Sequence, residues 1–251
     1  MSQIRSTAAI ILAAGSSSRM GGGRHKLLLP LGGHPVLTHV FETTLASQAR
    51  PIVVVLGHQA EQVKEHIIAY TKYPDIIVVE NPQYLQGMST SIHVGVETLM
   101  SSDYKKSLIS REVILESIAS PGPQDAINHV PTEAANSWFE IDSALIILGD
   151  QPLMTPQIID TLIQVRRKTG KWIVGASYGG KRGNPTLFAA NLFPELLEVT
   201  GDEGGKRVIE RHREELELVE LGDAMANYDV DTWEAYQQVV HMWEGKRQKE
   251  Y

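Results

Sequence analysis

The sequence predicts an α/β fold, a three-layer α/β/α sandwich around a mainly parallel, Rossmann-like sheet. Most of its short apolar runs are separated by stretches with the apolar spacing of amphipathic helices, which is typical of parallel sheets covered by helices. The runs themselves do not alternate between apolar and polar residues, as expected for strands buried on both faces. The predicted strands span residues 8–12, 52–56, 76–79, 144–148 and 172–176.

Five amphipathic stretches are predicted to form the helices of the outer layers. Pro35 introduces the first helix, and Thr155 followed by Pro156 gives the fourth an N-cap residue and a first-turn proline. The chain contains no internal repeat, so we expect one domain over residues 1–251. The predicted helices span residues 34–49, 59–70, 90–100, 155–168 and 231–243.

One long connection departs from this regular alternation. Residues 101–142 separate a predicted helix from the next strand, which is far more than the usual short connection. We predict an insertion there, with a helix over residues 104–119 that Pro121 and Pro123 terminate.

Composition excludes several classes of protein and site. The chain has no cysteine, which excludes disulfides, zinc–thiolate sites and cysteine nucleophiles and fits a reducing compartment. Its net charge of -7 argues against nucleic acid as the main partner, because binding a phosphate backbone needs clustered positive charge. The apolar stretch at residues 8–14 is too short for a signal peptide or membrane span. We therefore expect a soluble, cytoplasmic protein that binds neither nucleic acid nor membrane.

A loop of small residues follows the first predicted strand, where α/β folds place their ligands. It begins at Gly15, continues through three serines to Arg19 and ends at Lys26. Its exposed amides can bind phosphate oxygens, and the two cations can neutralise a triphosphate. Its spacing fits neither the P-loop nor the dinucleotide fingerprint. A flexible surface turn is the alternative, but the position after a buried strand favours a phosphate site.

An acidic residue follows another predicted strand. Asp150 lies just beyond the run at 144–148, at the edge where ligands bind. Magnesium commonly takes one or two protein carboxylates and completes its shell with phosphate and water. Asp229 and Asp231 point to the same side of an extended segment and can supply the second carboxylate. Two alternatives remain: Asp150 can be a turn residue, and Asp231 can cap the last helix.

Taken together, these segments resemble the molybdenum cofactor cytidylyltransferase group of the molybdopterin-nucleotidyltransferase-like family, which includes xanthine dehydrogenase accessory proteins. The resemblance covers nearly the whole chain except residues 101–142, and its blocks follow the same order along the chain. The blocks are Leu12-Ala13-Ala14-Gly15 through Arg19-Met20-Gly21, Lys26-Leu27-Leu28-Leu29-Pro30-Leu31-Gly32-Gly33, Asn81-Pro82 with Gly87-Met88-Ser89-Thr90-Ser91-Ile92, Gly149-Asp150-Gln151-Pro152, Arg182-Gly183-Asn184-Pro185, Gly201-Asp202-Glu203-Gly204-Gly205-Lys206-Arg207, and Asp229-Val230-Asp231-Thr232.

The resemblance implies a nucleotide-diphospho-sugar transferase type of fold and a role for each matched residue. Arg19, Lys26 and Asp150 would be catalytic, and Asp150 and Asp231 would bind Mg²⁺. For the Gly87–Ser91 segment, helix capping by Ser89 or Thr90 is the alternative. The implied acceptor-binding residues are Asn184, Lys206 and Arg207. The implied nucleotide-binding residues are Leu12, Ala13, Ala14, Gly15, Arg19, Lys26, Gly87, Ser89 and Ser91.

The function that the resemblance implies is transfer of CMP from CTP to the phosphate of molybdopterin, with release of pyrophosphate. Family members that act with GTP tend to carry glycine where this chain has Ala14, which favours CTP. A sugar or polyol phosphate is an alternative acceptor, because the fold type tolerates different acceptors. A non-catalytic carrier that delivers the cofactor to xanthine dehydrogenase is another alternative. Arg19, Lys26, Asp150 and Asp231 favour catalysis, because a carrier would not need all four.

Overall fold

A mixed sheet of seven strands forms the centre of the molecule. The structure is a computed structural model that describes residues 5–21, 23–73, 75–101 and 140–247. Its strands are β1 (Arg5–Ala13), β2 (Pro30–Leu31), β3 (His34–Pro35), β4 (Ile52–Leu56), β5 (Ile76–Glu80), β6 (Glu140–Leu148), β7 (Ile173–Tyr178), β8 (Lys181–Ala189) and β9 (Leu216–Glu220). The central sheet has the order β5-β4-β1-β6-β8-β7-β9, and β2 and β3 form a separate hairpin.

Within the central sheet, β8 runs against its neighbours and the other described strands are parallel to one another. Helices cover both faces. They are α1 (Val36–Leu45), α2 (Ala60–Ile67), α3 (Met88–Met100), α4 (Pro156–Thr169), α5 (Phe193–Leu196), α6 (Lys206–Arg211) and α7 (Trp233–Arg247). The predicted fold class is therefore confirmed.

The apolar runs of the strands supply two cores, one on each face of the sheet. In β1, Ala9 and Ile11 pack into the core under α1, α2 and α4. Ala8 and Ile10 point to the opposite core, which α3, α5 and α6 cover. All four side chains are fully buried. This double burial explains why the runs lack apolar–polar alternation, since neither face of the strand meets solvent.

Close packing of α3 on the sheet depends on one glycine. A Cβ atom added at Gly95 would lie 2.4 Å from Cγ2 of Ile10. The missing side chain lets the helix approach β1 closely, which fixes the position of its N-terminal residue Met88 at the edge where β1 ends.

Strands β8 and β9 were not anticipated from the sequence. The first half of β8 is polar, and Pro185 lies inside it, which argues against a strand because proline cannot donate a ladder hydrogen bond. β9 is an edge strand with a partly exposed, acidic pattern. Both are stabilised by pairing with β7, which local periodicity does not reveal.

The first helix begins two residues later than predicted. His34 and Pro35 belong to β3, which pairs with β2 across a tight turn at Gly32 and Gly33. Both glycines have positive φ, +58° and +93°, a conformation that side chains disfavour. His34 and Pro35, which the sequence predicts to begin α1, therefore belong to the hairpin instead.

The predicted insertion is shorter than expected at its C-terminal end. Strand β6 begins at Glu140, so residues 140–142 extend the strand that pairs with β1. The predicted helix at residues 104–119 lies outside the described residues. Across the described helices, none combines the length and apolar character needed to cross a membrane.

Candidate functional site

A cleft of about 680 Å³ opens at the carboxyl ends of β1 and β6. It brings together residues that lie more than two hundred positions apart in the chain. Ten of the predicted nucleotide-, metal- or phosphate-binding residues line it. They are Leu12, Ala13, Ala14, Gly15, Arg19, Lys26, Gly87, Ser91, Asp150 and Asp231.

The ends of β1 and β6 approach closely because Gly149 has no side chain. Its amide donates a 2.9 Å hydrogen bond to the carbonyl of Leu12. A Cβ atom at Gly149 would lie 2.9 Å from that same carbonyl oxygen, which is too close for any other residue. The Gly149-Asp150 pair therefore places the Asp150 carboxylate beside the start of the glycine-rich loop.

A backbone contact brings the C-terminal acidic segment to the same point. The amide of Val230 donates to the carbonyl of Asp150 at 2.9 Å, between the two carboxylates of Asp229 and Asp231. Val230 is fully buried against the N-terminal part of α7 and the β2–β3 hairpin. The segment is thus held by its own apolar residue, which leaves the flanking aspartates to face the cleft.

Lys26 joins the two predicted metal ligands. Its Nζ contacts Oδ2 of Asp150 and donates to Oδ1 of Asp231 at 2.7 Å. Arg19 pairs with the other oxygen, Oδ2, of Asp231 at 2.9 Å. Burial by itself lowers the pKa of Lys26, but the pairing with Asp150 and Asp231 outweighs burial, so its pKa is raised above the ordinary value. The lysine is therefore fully charged at neutral pH.

The carboxylate of Asp229 lies in a different environment from that of Asp231. Its Oδ1 accepts a 2.5 Å hydrogen bond from Nε2 of Gln151, which is buried. Burial, followed by repulsion from Asp150, raises the pKa of Asp229 to about 6, against an ordinary value of 3.8. The cleft thus concentrates more negative charge than its own cations fully balance.

Capping of the last helix falls to Thr232 and not to Asp231. The amide of Ala235 donates to Oγ1 of Thr232 at 3.1 Å, and the amide of Tyr236 donates to the Thr232 carbonyl. Asp231 is therefore not needed for the helix, and its carboxylate is directed to Lys26 and Arg19.

The glycine-rich loop is held in shape by a serine. The backbone of Ser17 is left-handed, with φ of 56°, and its Oγ accepts a 3.1 Å hydrogen bond from the amide of Lys26. Arg19 lies in a short 3-10 helix, Ser18–Met20, and its neighbour Met20 is buried in the cluster around α7. This arrangement anchors both ends of the loop and presents Arg19 and Lys26 to one cleft.

Ala14 packs against the end of β4. The amide of His58 donates to the Ala14 carbonyl at 3.2 Å, and an ideal Cβ at Gly57 would lie 2.7 Å from Cβ of Ala14. The Ala14 methyl therefore occupies the narrow space between two strand ends, on the wall of the cleft. Leu85, which is 77% exposed, also lines the cleft.

The turn before α3 is built around Gly87. Its φ is +110°, and an added Cβ would lie 2.6 Å from the backbone of Gly201. Ser89 is buried, and its amide donates to the Gly201 carbonyl at 3.0 Å. Ser91 lines the cleft, but Ser89 does not. Ser89 instead connects the start of α3 to the Gly201 segment through its backbone hydrogen bond.

The predicted helix-capping role of Ser89 or Thr90 is also not what the structure shows. The N-cap residue of α3 is Gly87, and no side chain caps it. Oγ1 of Thr90 donates to the Gly87 carbonyl at 2.9 Å and accepts from the buried Asn81 at 2.8 Å. Asn81 also donates to Oγ of Ser91 at 3.0 Å. This network fixes the turn, because a buried amide group must find partners.

A second, smaller cleft of about 270 Å³ adjoins the first. The two clefts share Met88, Leu148 and Asp202 in their walls. Two of the three predicted acceptor-binding residues, Asn184 and Lys206, line the second cleft. Arg207 does not line it, because its Nε is paired with Glu203 one helical turn away.

Some residues of both clefts have no role that the sequence predicts. Arg182 and Asp202 lie within segments that carry the family resemblance, but the resemblance implies no role for either side chain by itself. Tyr84 and Leu85 line the first cleft from a short 3-10 helix that has no strong sequence signal, and Met88 lines it from the start of α3. Only their position after β5, at the same sheet edge, could have indicated them.

This chain is similar to known proteins both in sequence and in fold. The bifunctional protein GlmU of Burkholderia orbicola is 46% identical over 67 residues, which cover 27% of this chain and 14% of that protein. A nucleotidyl transferase from Methanothermobacter superposes with a TM-score of 0.68 at 20% identity, covering 96% of this chain and 99% of that one. Rv0371c from Mycobacterium tuberculosis H37Rv, in complex with manganese, superposes with a TM-score of 0.63 at 21% identity, and the match covers 96% of this chain and 99% of that one.

The short GlmU match covers only a small part of that protein, and the two structures show a shared fold. The decisive match is to a domain family. Residues 9–216 match the MobA-like NTP transferase domain, a span that includes the glycine-rich loop, Asp150 and the second cleft. This protein therefore belongs to the MobA-like NTP transferase domain family, a family of nucleotidyltransferases.

Proposed function

We propose that this protein transfers CMP from CTP to the phosphate of molybdopterin and releases pyrophosphate. The observation that carries the proposal is the contact of one ammonium, that of Lys26, with both Asp150 and Asp231 beside the loop at Leu12 to Gly15. Cations, carboxylates and small-residue backbone meet in one cleft. That combination suits a nucleoside triphosphate with a metal ion.

In this proposal the loop and its flanking strand hold the nucleotide. Leu12, Ala13 and Ala14 form the wall for the base, with Gly87 and Ser91 across the cleft. Backbone amides of the loop after Gly15 bind phosphate oxygens. Arg19 and Lys26 neutralise the triphosphate, and for this they exchange part of their present pairing with Asp231 for phosphate oxygens.

The carboxylates suit a hard divalent cation. Asp150 is 9% exposed and Asp231 is more open, and both offer oxygen atoms directed to one point, now met by Lys26. The described parts of the chain hold no group of three or more His, Cys, Asp or Glu side chains placed to bind a metal ion, so the proposed site relies on two carboxylates. Two carboxylates with phosphate and water are the donor set that Mg²⁺ prefers. Bound there, Mg²⁺ would polarise the phosphates and offset the charge that develops during transfer.

The chemical step needs positioning more than a protein nucleophile. An oxygen of the acceptor phosphate attacks the α-phosphorus, the bond from the α-phosphorus to the bridging oxygen of the β-phosphate breaks, and pyrophosphate leaves. The acceptor phosphate is already ionised near neutral pH, so no histidine base is required. Arg19 and Lys26 stabilise the negative charge on the α- and β-phosphates.

CTP is favoured over GTP because Ala14 stands where GTP-using relatives tend to have glycine. The Ala14 methyl group fills the space against Gly57, which reduces the room for the base in the cleft. Acceptor identity rests on the resemblance of the chain to molybdenum cofactor cytidylyltransferases. A role in supplying xanthine dehydrogenase or a related molybdoenzyme, in the cytoplasm, follows from the same resemblance and is proposed with it.

The test is release of pyrophosphate from CTP and from GTP, with molybdopterin and Mg²⁺, by the full chain and its Asp150→Ala variant. Asp160→Ala on α4, a carboxylate outside both clefts, is the control. The proposal is supported if pyrophosphate is released faster from CTP than from GTP, and if this release is lost in Asp150→Ala but kept in Asp160→Ala. Release only with a sugar or polyol phosphate would identify a different acceptor. Molybdopterin binding without release would indicate a carrier.

A further inference from the structure

The second cleft combines an apolar floor with charged walls. Its floor is made of side chains that are almost entirely buried: Ile92, Ile146, Phe188 and Ile209. Gly205 packs directly over one of them, since an added Cβ would lie 2.5 Å from Cζ of Phe188. The floor is therefore mainly apolar, and the polar side chain of Thr186, 6% exposed, lies on β8 beside these residues.

The acidic side chains at this cleft are already engaged. Oδ1 of Asp202 accepts a 3.0 Å hydrogen bond from the amide of Met88 at the start of α3. Glu203 is paired with Arg207. Glu203 is thus balanced by Arg207, whereas Asp202 is held by a neutral amide and still contributes its formal negative charge to the cleft.

Two cations of the cleft have no such partner. Arg182, on β8, and Lys206, at the start of α6, both line it. Within the described residues, neither side chain takes part in an ion pair or hydrogen bond. With Glu203 balanced by Arg207, these two cations exceed the single charge of Asp202 and leave a local positive charge next to the acidic first cleft.

We propose that Arg182, together with Lys206, binds an anionic group of the acceptor, and that the apolar floor selects an acceptor with a flat ring. Arg182 is thus a specificity-determining residue, in the role that the sequence suggested for Arg207. The inference rests on the proposed function and deepens it, because it names the chemical class of the acceptor. A sugar phosphate would bring several hydroxyl groups against mainly apolar side chains, at a cost in desolvation.

The experiment compares Arg182→Ala, Arg182→Lys, Arg207→Ala and Arg211→Ala in the full chain. Arg211 lies on the same helix as Arg207, is paired with Glu195 and lies outside the cleft, so it is the matched control. Pyrophosphate release is measured against CTP and against molybdopterin, with glucose 1-phosphate as the sugar phosphate. Binding of molybdopterin alone is measured in parallel by fluorescence.

For Arg182→Ala we expect the KM for molybdopterin to rise roughly 10- to 100-fold, because a charged hydrogen bond is lost. The KM for CTP stays unchanged, and Arg182→Lys recovers part of the loss since the charge is kept. Arg207→Ala should change the KM for molybdopterin far less. Equal effects of the Arg182 and Arg207 substitutions, or activity with glucose 1-phosphate equal to that with molybdopterin, would overturn the inference.

Failure of this inference and failure of the proposed function give different results. CMP transfer to molybdopterin that Arg182→Ala leaves intact means that the function holds and the role of Arg182 is wrong. Molybdopterin binding that weakens in Arg182→Ala, without any transfer by the unaltered protein, means that the cleft is correctly assigned and the catalytic function is wrong. Absence of molybdopterin binding to the unaltered protein overturns both.

Discussion

Lys26 Nζ lies 2.7 Å from Oδ1 of Asp231, although 205 positions separate the two residues in the chain. The same ammonium contacts Asp150, which is 124 positions away. This junction ties the glycine-rich loop to the end of β6 and to the segment before α7. We propose that function and stability both depend on this junction.

Replacing Asp150 by asparagine removes one of two proposed metal ligands while keeping the shape of the side chain. We expect kcat for pyrophosphate release to fall roughly 100- to 1000-fold, the usual effect of losing one electrostatic contact to a transition state. The measurement is steady-state kinetics with Mg²⁺, with thermal unfolding to confirm that the variant is folded. Asp160→Asn serves as the control, and an Asp150→Asn variant within a few-fold of the unaltered protein would rule out the assigned role.

Replacing Lys26 by methionine leaves the buried Asp150 carboxylate without its cation. We expect a loss of roughly 3 kcal/mol in the free energy of unfolding, at the lower end for buried pairs because Asp231 is partly exposed. Urea unfolding at neutral pH, with EDTA present, gives the value. The double variant Lys26→Met with Asp150→Asn should recover most of the loss, and strictly additive losses would contradict the pairing.

Asp229 provides a prediction for pH. Burial, with repulsion from Asp150, raises its pKa to about 6, so ionising this group destabilises the folded protein. The cost is absent below about pH 4 and fully present above about pH 6. In EDTA, Asp229→Asn should therefore be more stable than the unaltered protein above pH 6, and the difference should vanish as the pH falls to 4. Equal melting temperatures at pH 8 would show that the carboxylate carries no such cost.

Ala14→Gly tests the origin of the base preference. Removing the methyl group that lies against Gly57 leaves more space for the base in the cleft. The ratio of kcat/KM for CTP to kcat/KM for GTP should therefore fall roughly tenfold or more, which is the usual effect of one methyl group in a binding pocket. Competition assays with both nucleotides measure the ratio directly. Ala60→Gly on α2, outside the cleft, is the control. An unchanged ratio would place base selection elsewhere in the cleft.

Gly87→Ala tests the turn that joins the two clefts. Its φ of +110° and the 2.6 Å approach to the Gly201 backbone leave no room for a methyl group. We expect a loss of roughly 1–3 kcal/mol in stability and weaker CTP binding, because the turn and Ser91 must shift together. Chemical unfolding and nucleotide titration measure these effects. Gly222→Ala, at a position with open space and ordinary φ, should leave both unchanged.

Parts of the fold and of the site could be predicted because their signal is local. The runs that became β1, β4, β5, β6 and β7 are apolar in sequence and buried in the structure. The rule that ligands lie at strand ends then placed the glycine-rich loop and Asp150 together. Strand β8 could not be predicted in the same way, because its polar half and Pro185 are stable only as part of an antiparallel pair with β7.

The sequence by itself determined the layered α/β architecture and the residue types that suit nucleotide phosphates and a metal. Only the tertiary structure decided which cation meets which carboxylate: Lys26 joins Asp150 to Asp231, Arg207 is held by Glu203, and Arg182 lines the second cleft instead. It also decided that Ser89 is buried and that Thr232 caps the last helix. The physical reason is that periodicity and turn residues act over a few positions. Charge pairing and cleft walls depend instead on distances between segments that meet only when the sheet is assembled.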